Sequence, residues 1–208
     1  MNVLIADDHA ILRKGLIEIL KDAYPSLRHY EACNSAETLH IARKYHLDLI
    51  LLDISMPGRS GLETLKQIRT EGIQTPILIL SVQPEDQYAV RVLRAGASGY
   101  LNKDSAPEKL LTAIDQILMG KKYISIEVAS HLAQSFSVKS NKDLYETLSD
   151  REFQVLKLIA SGKTVSEIAV EISLTVNTIS TYRSRILDKL HLKNNAELTK
   201  YAIENHLV

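Results

Sequence analysis

Short apolar runs alternate with segments of helical periodicity over the first 120 residues of the chain. The runs predict buried strands over 3–6, 49–53, 76–81 and 99–101, with a weaker strand over 30–33. After each run, apolar residues recur three and four positions apart, which predicts a helix. Strands that alternate with helices favour an all-parallel sheet covered on both faces. The fold class expected for residues 1–120 is therefore α/β, with a doubly wound, five-stranded sheet.

The alternation stops near Gly120, and the rest of the chain has a different pattern. Residues 124–136 can form one more helix, and residues 137–143 are polar with no apolar period. From Leu144 onward every apolar pattern is helical. We therefore expect an α/β domain over 1–120, a linker with a short helix over 121–143, and an all-helical domain over 144–208.

Composition adds little to this picture. The chain has 45% hydrophobic and 24% charged residues, which is typical of a soluble globular protein. Basic and acidic residues number 25 each, so net charge indicates no partner. The N-terminus does not resemble a signal peptide, and no apolar run approaches the roughly 20 residues of a membrane span, so we expect a cytoplasmic protein. The single cysteine, Cys33, cannot form an internal disulfide and is expected to be a small buried residue.

Carboxylates follow two of the predicted strands at the point where each strand ends. Asp7 and Asp8 come after the first strand, and Asp53 ends the third. The carboxyl ends of parallel strands meet at one edge of the sheet, where converging negative charges need a cation. With no histidine or cysteine expected among them, oxygen ligands favour a hard cation such as Mg²⁺.

A hydroxyl and an ammonium follow the fourth and fifth strands at the same predicted edge. Ser81 ends the fourth strand, and Lys103 follows the fifth. With a carboxylate nucleophile and a metal, these groups suit phosphoryl transfer. Each residue alone has an ordinary explanation as a cap, a strand-end hydroxyl or a solvated charge. Their joint occurrence at successive strand ends favours a reaction site.

The C-terminal domain shows the pattern of a helix-turn-helix. Ser149 and Glu152 form a capping box before a first helix, and helices are predicted over 165–172 and 176–190. The outer face of the last of these helices carries small polar residues and arginines, namely Ser180, Thr181, Arg183, Ser184 and Arg185. Such a face fits the major groove of DNA. Since residues 144–208 hold eight basic and eight acidic residues, a small protein-interaction domain stays an open alternative.

The first 120 residues resemble the receiver domain of two-component response regulators. The resemblance rests on Asp7-Asp8, Asp53 with Met56-Pro57-Gly58 and Gly61, Ser81, and Tyr100 ahead of Lys103. It implies that Asp53 accepts a phosphoryl group from a histidine kinase. It also implies that Asp7, Asp8, Asp53 and the backbone carbonyl of Ser55 hold Mg²⁺. Ser81 and Tyr100 would be the switch pair, and Lys103 would pair with the phosphate.

Residues 148–202 resemble a LuxR-type helix-turn-helix, so the whole chain is similar to NarL/FixJ-family response regulators. The resemblance places DNA-backbone contacts at Thr178, Arg183, Arg185 and Lys189, and base contacts at Ser180, Thr181 and Ser184. An apolar stripe of Leu198, Tyr201 and Ala202 either closes the core of the small domain or, as the resemblance implies, contacts a second copy. The expected function is that of a transcription factor that binds promoter DNA, forms a homodimer when active, and is no enzyme beyond slow self-dephosphorylation.

Rival functions differ from this one in identifiable residues. An aspartate-based phosphatase normally has a second acid two residues after its nucleophile, where this chain has Ser55. A dinucleotide-binding enzyme needs a Gly-rich turn after the first strand, where this chain has Asp7-Asp8-His9-Ala10. A regulator that binds DNA without phosphorylation stays possible, because an intact pocket does not prove that a kinase exists.

Overall fold

The computed structural model describes residues 1–56, 59–83, 85–125, 128–129, 144–205 and 207–208. The chain divides into two compact units, Met1–Ser137 and Val138–Val208. The helix expected over 124–136 and the linker expected over 137–143 lie largely outside the described residues. In the part of the chain that is described, no helix has the length and apolar character of a membrane span.

The first unit alternates strands with helices. Its strands are β1 (Asn2–Ala6), β2 (Arg28–Ala32), β3 (Leu49–Asp53), β4 (Ile77–Ser81) and β5 (Gly99–Asn102). Its helices are α1 (Ala10–Ala23), α2 (Ser35–Lys44), α3 (Gly61–Thr70), α4 (Glu85–Arg94) and α5 (Ala106–Leu118), with a 3₁₀ turn at Lys103–Ser105. The strands form one parallel sheet in the order β2-β1-β3-β4-β5. This confirms the expected doubly wound α/β fold.

The burial of the strands explains why four of them were predictable and one was misplaced. Every residue of β3 and β4 is buried, so their sequences are continuous apolar runs. β2 is an edge strand in which only Ala32 is buried, so it has little apolar signal. The strand predicted over 30–33 therefore begins two residues earlier, at Arg28, and Cys33 follows it and is exposed rather than buried.

The sheet order places the functional strand ends next to each other. β1 and β3 are neighbours, and Ala6 pairs with Leu52, so Asp7 and Asp53 leave the sheet side by side. β4 lies on the other side of β3, and β5 pairs with β4. Ser81 pairs with Asn102, the residue before Lys103. All of the chemistry predicted from the first unit therefore converges at the carboxyl edge of the sheet.

The chain that leaves α5 returns to the free edge of β5. The backbone N–H of Tyr123 donates to Ser98 O at 2.9 Å, and Tyr100 N–H donates to Tyr123 O at 3.3 Å. Residues Gly99 and Tyr123 thus form a parallel bridge. A Cβ atom at position 99 would lie only 2.8 Å from Tyr123 O. Glycine is therefore required for this close approach.

The second unit is helical. After a 3₁₀ turn at Leu144–Thr147 its helices are α6 (Asp150–Ala160), α7 (Val165–Glu171), α8 (Val176–Leu190) and α9 (Asn195–Glu204). The expected capping box of Ser149 and Glu152 is present, and Thr164 and Glu167 form a second one at the start of α7. The core contains Phe153, Leu156, Ile168, Ile179, Ile186, Leu190 and Leu198.

The apolar stripe on α9 faces this core. Leu198 and Ala202 are fully buried within the unit, and Tyr201 is half-buried. The structure therefore contradicts dimer contacts through the side chains of Leu198 and Ala202. A domain of about 65 residues has little apolar surface to spare, and these side chains close its own core.

Candidate functional site

Three carboxylates and one lysine meet at the carboxyl edge of the sheet. Lys103 Nζ lies 2.7 Å from Asp7 Oδ2 and 3.0 Å from Asp53 Oδ2. Asp7 and Asp53 are almost completely buried, and Asp8 is half-buried. Ser55 is exposed, and its backbone adjoins the Asp53 carboxylate. The structure thus brings together Asp7, Asp8, Asp53 and Lys103, which the strand-end argument grouped, and places beside them Ser55, which the family resemblance implies.

The electrostatics of the pocket centre on Asp53. Burial raises the pKa of Asp53, and the ammonium of Lys103 opposes that rise, while the nearby charge of Asp7 adds to it. The Lys103 side chain is only 8% exposed, so its charge acts in a poorly solvated environment. Lys103 is therefore the internal counter-ion of two buried carboxylates.

The start of α3 fixes the backbone that carries Asp53. The N–H of Gly61 donates to Ile54 O at 2.9 Å, and a Cβ atom at position 61 would lie 1.9 Å from the carbonyl oxygen of Asp53. Only glycine permits this approach of helix to strand end. Ser60 and Glu63 then cap the helix reciprocally. The loop after β3 is thereby anchored where it returns to the sheet.

A histidine joins the acidic cluster, which the sequence interpretation did not anticipate. Oxygens of Asp7, Asp8 and Asp53 and a ring nitrogen of His9 lie within 4.8 Å of one another. His9 Nδ1 is 3.0 Å from Asp8 Oδ1, and its backbone N–H donates to Asp7 Oδ1 at 2.8 Å. The expectation that no histidine lies near these carboxylates is wrong, because the turn after β1 folds the His9 ring back toward them. The position of His9 directly after Asp8 in the sequence was the signal that could have indicated this contact.

The pocket fits a divalent cation. Among the described residues, Asp7 Oδ2, Asp8 Oδ1 and both carboxylate oxygens of Asp53 are buried without a hydrogen bond of good geometry, although Lys103 lies close to two of these oxygens. Buried carboxylates with unused lone pairs are costly without positive charge. Since three carboxylates outnumber one exposed imidazole, the set suits Mg²⁺ or Mn²⁺ better than a softer metal.

Ser81 and Tyr100 contact each other beside this pocket. Both side chains are completely buried. Ser81 Oγ accepts from Gln83 N–H at 3.1 Å, and Tyr100 Oη donates to Gln83 O at 2.6 Å. Burial, above all, raises the pKa of Tyr100, and the hydrogen bond with Ser81 opposes it. The hydroxyl and the phenol therefore share one turn, residues 81–83, directly after β4.

The exposed face of α8 carries four of the residues predicted to contact DNA. Ser180, Thr181, Ser184 and Arg185 are exposed. At 3.6 residues per turn, these four positions lie within an arc of roughly 140° on one side of the helix. Thr178 is half-buried at the start of the helix, where its hydroxyl is 2.8 Å from that of Thr175. Short side chains and an arginine are thus available to a partner on one side of α8.

The other two predicted contacts have partners inside the unit. Arg183 Nε donates to Asn195 Oδ1 at 2.5 Å, at the first turn of α9. Lys189 Nζ lies 2.6 Å from Glu152 Oε2, and Glu152 is 4% exposed. Burial would raise the pKa of Glu152, but hydrogen bonds from Lys189 and from Ser149 outweigh it and hold that pKa below its usual value. Both partners are remote in sequence, so no local pattern indicated them.

Two family models match the chain, and the division between the two structural units falls in the gap between them. The model of the response regulator receiver domain matches residues 3–115, and that of bacterial regulatory proteins of the luxR family matches residues 146–202. The chain belongs to the NarL/FixJ family of response regulators. It is a response regulator with a receiver domain and a DNA-binding domain, as the sequence predicts.

Relatives of known name align along the full length of the chain. Response regulator UvrY of Escherichia coli K12 is 34% identical over 208 residues, which cover 100% of this chain and 95% of UvrY. Oxygen regulatory protein NreC of Staphylococcus aureus is 35% identical and covered over 99% of its length. A solved structure of RcsB from Salmonella enterica serovar Typhimurium, bound to a promoter in the presence of beryllium fluoride, aligns with a TM-score of 0.59 at 27% identity and 97% coverage of both chains.

Proposed function

We propose that Asp53 accepts a phosphoryl group from a histidine kinase and that its phosphorylation controls how tightly the C-terminal unit binds promoter DNA. The observation that carries the proposal is the convergence of Asp7, Asp8 and Asp53 on Lys103. A buried carboxylate beside a lysine and a cation site is the arrangement that phosphoryl transfer needs.

In this reaction a carboxylate oxygen of Asp53 attacks the phosphorus of the donor, and the donor's leaving group departs with the bonding electrons. Asp7, Asp8, Asp53 and the backbone carbonyl of Ser55 would hold Mg²⁺. When bound, that ion supplies positive charge for the phosphoryl oxygens. Lys103 is already close to Asp53, so its ammonium can pair with the new phosphate by a small movement. The product is an acyl phosphate.

Slow turnover follows from the same residues. A hydrolase needs a group that activates water against the acyl phosphate. Two residues after Asp53, where a phosphatase would have a second acid, the chain has the exposed Ser55. We therefore propose that the receiver stores the phosphoryl group and is not an enzyme with rapid turnover.

The C-terminal unit would bind duplex DNA as two copies on paired half-sites, because one helix-turn-helix makes few base contacts. The RcsB–promoter complex and the exposed face of α8 support binding to duplex DNA. Since Leu198 and Ala202 are buried, a dimer contact on α9 would use Ile203, whose side chain is 57% exposed.

The test uses the full chain, acetyl phosphate and Mg²⁺. Mass spectrometry should find one phosphoryl group on Asp53, and Asp53→Asn should prevent its addition. The matched control is Asp104→Asn, which removes an exposed carboxylate one residue beyond Lys103. A phosphoryl group on another residue would contradict the proposal.

Control of DNA binding is measured separately, on duplexes selected by the full chain from a random pool. Phosphorylation should tighten binding by the wild-type chain and leave Asp53→Asn unchanged. Equal affinity with and without phosphorylation would instead favour the rival regulator, which binds DNA without it.

A further inference from the structure

Arg13, in the first turn of α1, contacts the backbone of the acidic cluster. Its Nη1 donates to the carbonyl oxygen of Asp7 at 2.7 Å, and its Nε donates to Glu31 Oε2 on β2 at 2.7 Å. The Arg13 side chain is 15% exposed and its hydrogen bond to the Asp7 carbonyl is partly buried, whereas its bond to Glu31 lies at the surface. One guanidinium therefore spans the ends of α1, β1 and β2.

These hydrogen bonds add to other contacts that hold Asp7 in place. Its N–H donates to Ala32 O at 3.0 Å, and its carbonyl accepts from Arg13. Its side chain is held as well, with Oδ1 accepting from His9 N–H and Oδ2 close to Lys103. Arg13 supplies the only charged donor among these backbone contacts of the described residues, and Asp8 follows directly in the chain.

We infer that Arg13 is a positioning residue for the cation site. By holding the Asp7 carbonyl, it directs the carboxylates of Asp7 and Asp8 into the pocket and so sets the affinity of the pocket for divalent cations. The inference rests on the proposed function, because it assumes that the pocket binds a cation. Arg13 itself does not reach the carboxylate oxygens in any described contact.

The sign of the effect separates positioning from electrostatics. Arg13 is a cation near a cation site, so removing its charge should by Coulomb's law tighten metal binding. Loss of positioning should do the opposite, because misaligned carboxylates bind the metal less well. A change toward weaker binding on removal of a positive charge has no simple electrostatic explanation.

The experiment measures Mn²⁺ binding to the full-length chain by electron paramagnetic resonance, with Mg²⁺ competition, alongside thermal unfolding. Arg13→Met should weaken Mn²⁺ binding by about 10-fold, the lower end of the effect of losing an outer-sphere partner. Arg13→Lys keeps the charge and one donor and should recover part of that loss. The matched control, Lys14→Met, removes an exposed positive charge from the next position of α1 and should leave binding unchanged or slightly tighter.

Unchanged or tighter binding by Arg13→Met would overturn the inference. So would an equal loss in Lys14→Met. If Arg13→Met does not fold, Arg13→Lys decides: its binding must be weaker than that of the wild type at an unchanged unfolding temperature. Failure of the wild-type chain to bind Mn²⁺ or Mg²⁺ is a different result, and it would contradict the proposed cation site itself.

Discussion

The pocket of the first unit and the exposed face of α8 are held in place in different ways. In the pocket, residues from three strand ends and a following turn converge, and nearly every functional side chain is buried and contacts another one. On α8, one continuous helix presents Ser180, Thr181, Ser184 and Arg185, which owe their placement to the helix alone. The internal contacts of the pocket therefore indicate its chemistry. The internal contacts of α8 indicate only which of its side chains already have a partner within the unit.

Two lysines sharpen this comparison. Lys103 and Lys189 each pair with a buried carboxylate, Lys103 with Asp53 and Lys189 with Glu152. Lys103 is 8% exposed at the proposed phosphorylation site, whereas Lys189 is 41% exposed and joins α8 to the start of α6. The same pair of chemical groups thus lies in a candidate cation-binding pocket in one unit and, by its position, contributes to packing in the other.

The largest effect is expected at the pocket. Asp8→Ala removes a carboxylate from the cluster and should weaken Mg²⁺ binding on the order of 10-fold or more, because divalent affinity depends on ligand charge. Isothermal titration calorimetry measures it, and circular dichroism should show little loss of fold since Asp8 is half-buried. Asp22→Ala, an exposed acid at the end of α1, is the control. Equal Mg²⁺ affinity in the two variants would contradict the metal assignment.

Lys189→Met tests whether the second lysine is structural. We expect a loss of about 1–2 kcal/mol in the free energy of unfolding at neutral pH, the value of a charge-assisted hydrogen bond reduced for partial exposure. Lys193→Met, at a nearby exposed position, should change stability little. If Lys189 instead binds a phosphate, its substitution will lower the salt dependence of DNA binding and leave stability unchanged.

The pH dependence of the same pair has a definite sign. The pKa of Glu152 is lower in the folded unit than its ordinary value of 4.5, so its stabilisation is present above that value and is lost as pH falls through the folded pKa. Without Lys189 only the bonds from Ser149 oppose burial, so the folded pKa of Glu152 should be higher, and acidification toward pH 4.5 should cost Lys189→Met less stability than it costs the wild type. Urea unfolding across this range measures both slopes. Parallel slopes in the two proteins would contradict the pairing.

Arg185→Ala removes the exposed arginine of the α8 face. Loss of one phosphate contact should weaken binding to all sequences similarly and reduce the salt slope by about 1. The control is Lys200→Ala, which removes an exposed charge from α9. A changed sequence preference with an unchanged slope would show that Arg185 reads a base instead.

The smallest effect is expected at Thr181, whose hydroxyl already bonds to Asn177 O. Thr181→Ala should alter the base preference at one position by about 1 kcal/mol, the lower end of the cost of a wrong base pair. Sequence selection from a random pool measures this. Ser161→Ala removes a hydroxyl with the same kind of bond, to Lys157 O at the end of α6, and should change nothing.

The fold was predictable because its signals are local and repeated. Strands buried on both faces produce apolar runs, and the carboxyl ends of parallel strands must meet, so Asp7, Asp53, Ser81 and Lys103 could be grouped from order alone. The edge strand β2 was misplaced by two residues since edge strands are only partly apolar.

The features that the sequence could not reveal depend on contacts that leave no periodic pattern in it. The ring of His9 turns back onto Asp8, and Arg13 bonds to a backbone carbonyl, which any residue type supplies. The partner of Lys189 lies 37 residues earlier in the chain. An apolar stripe such as that on α9 looks the same whether it closes a core or contacts another chain. Only three-dimensional placement separates these cases.

The bridge between Gly99 and Tyr123 affects how readily the sheet associates with other chains through the edge of β5. β5 is a terminal strand, and terminal strands offer unpaired backbone groups to other chains. The segment that returns from α5 occupies part of that edge through Tyr123. A receiver fragment that stops at Gly120 would lose this cover and should self-associate through β5, whereas one that continues to Ser125 should stay monomeric at the same concentration. The place where this domain can be cut is thus set by the segment from Met119 to Tyr123, which follows α5.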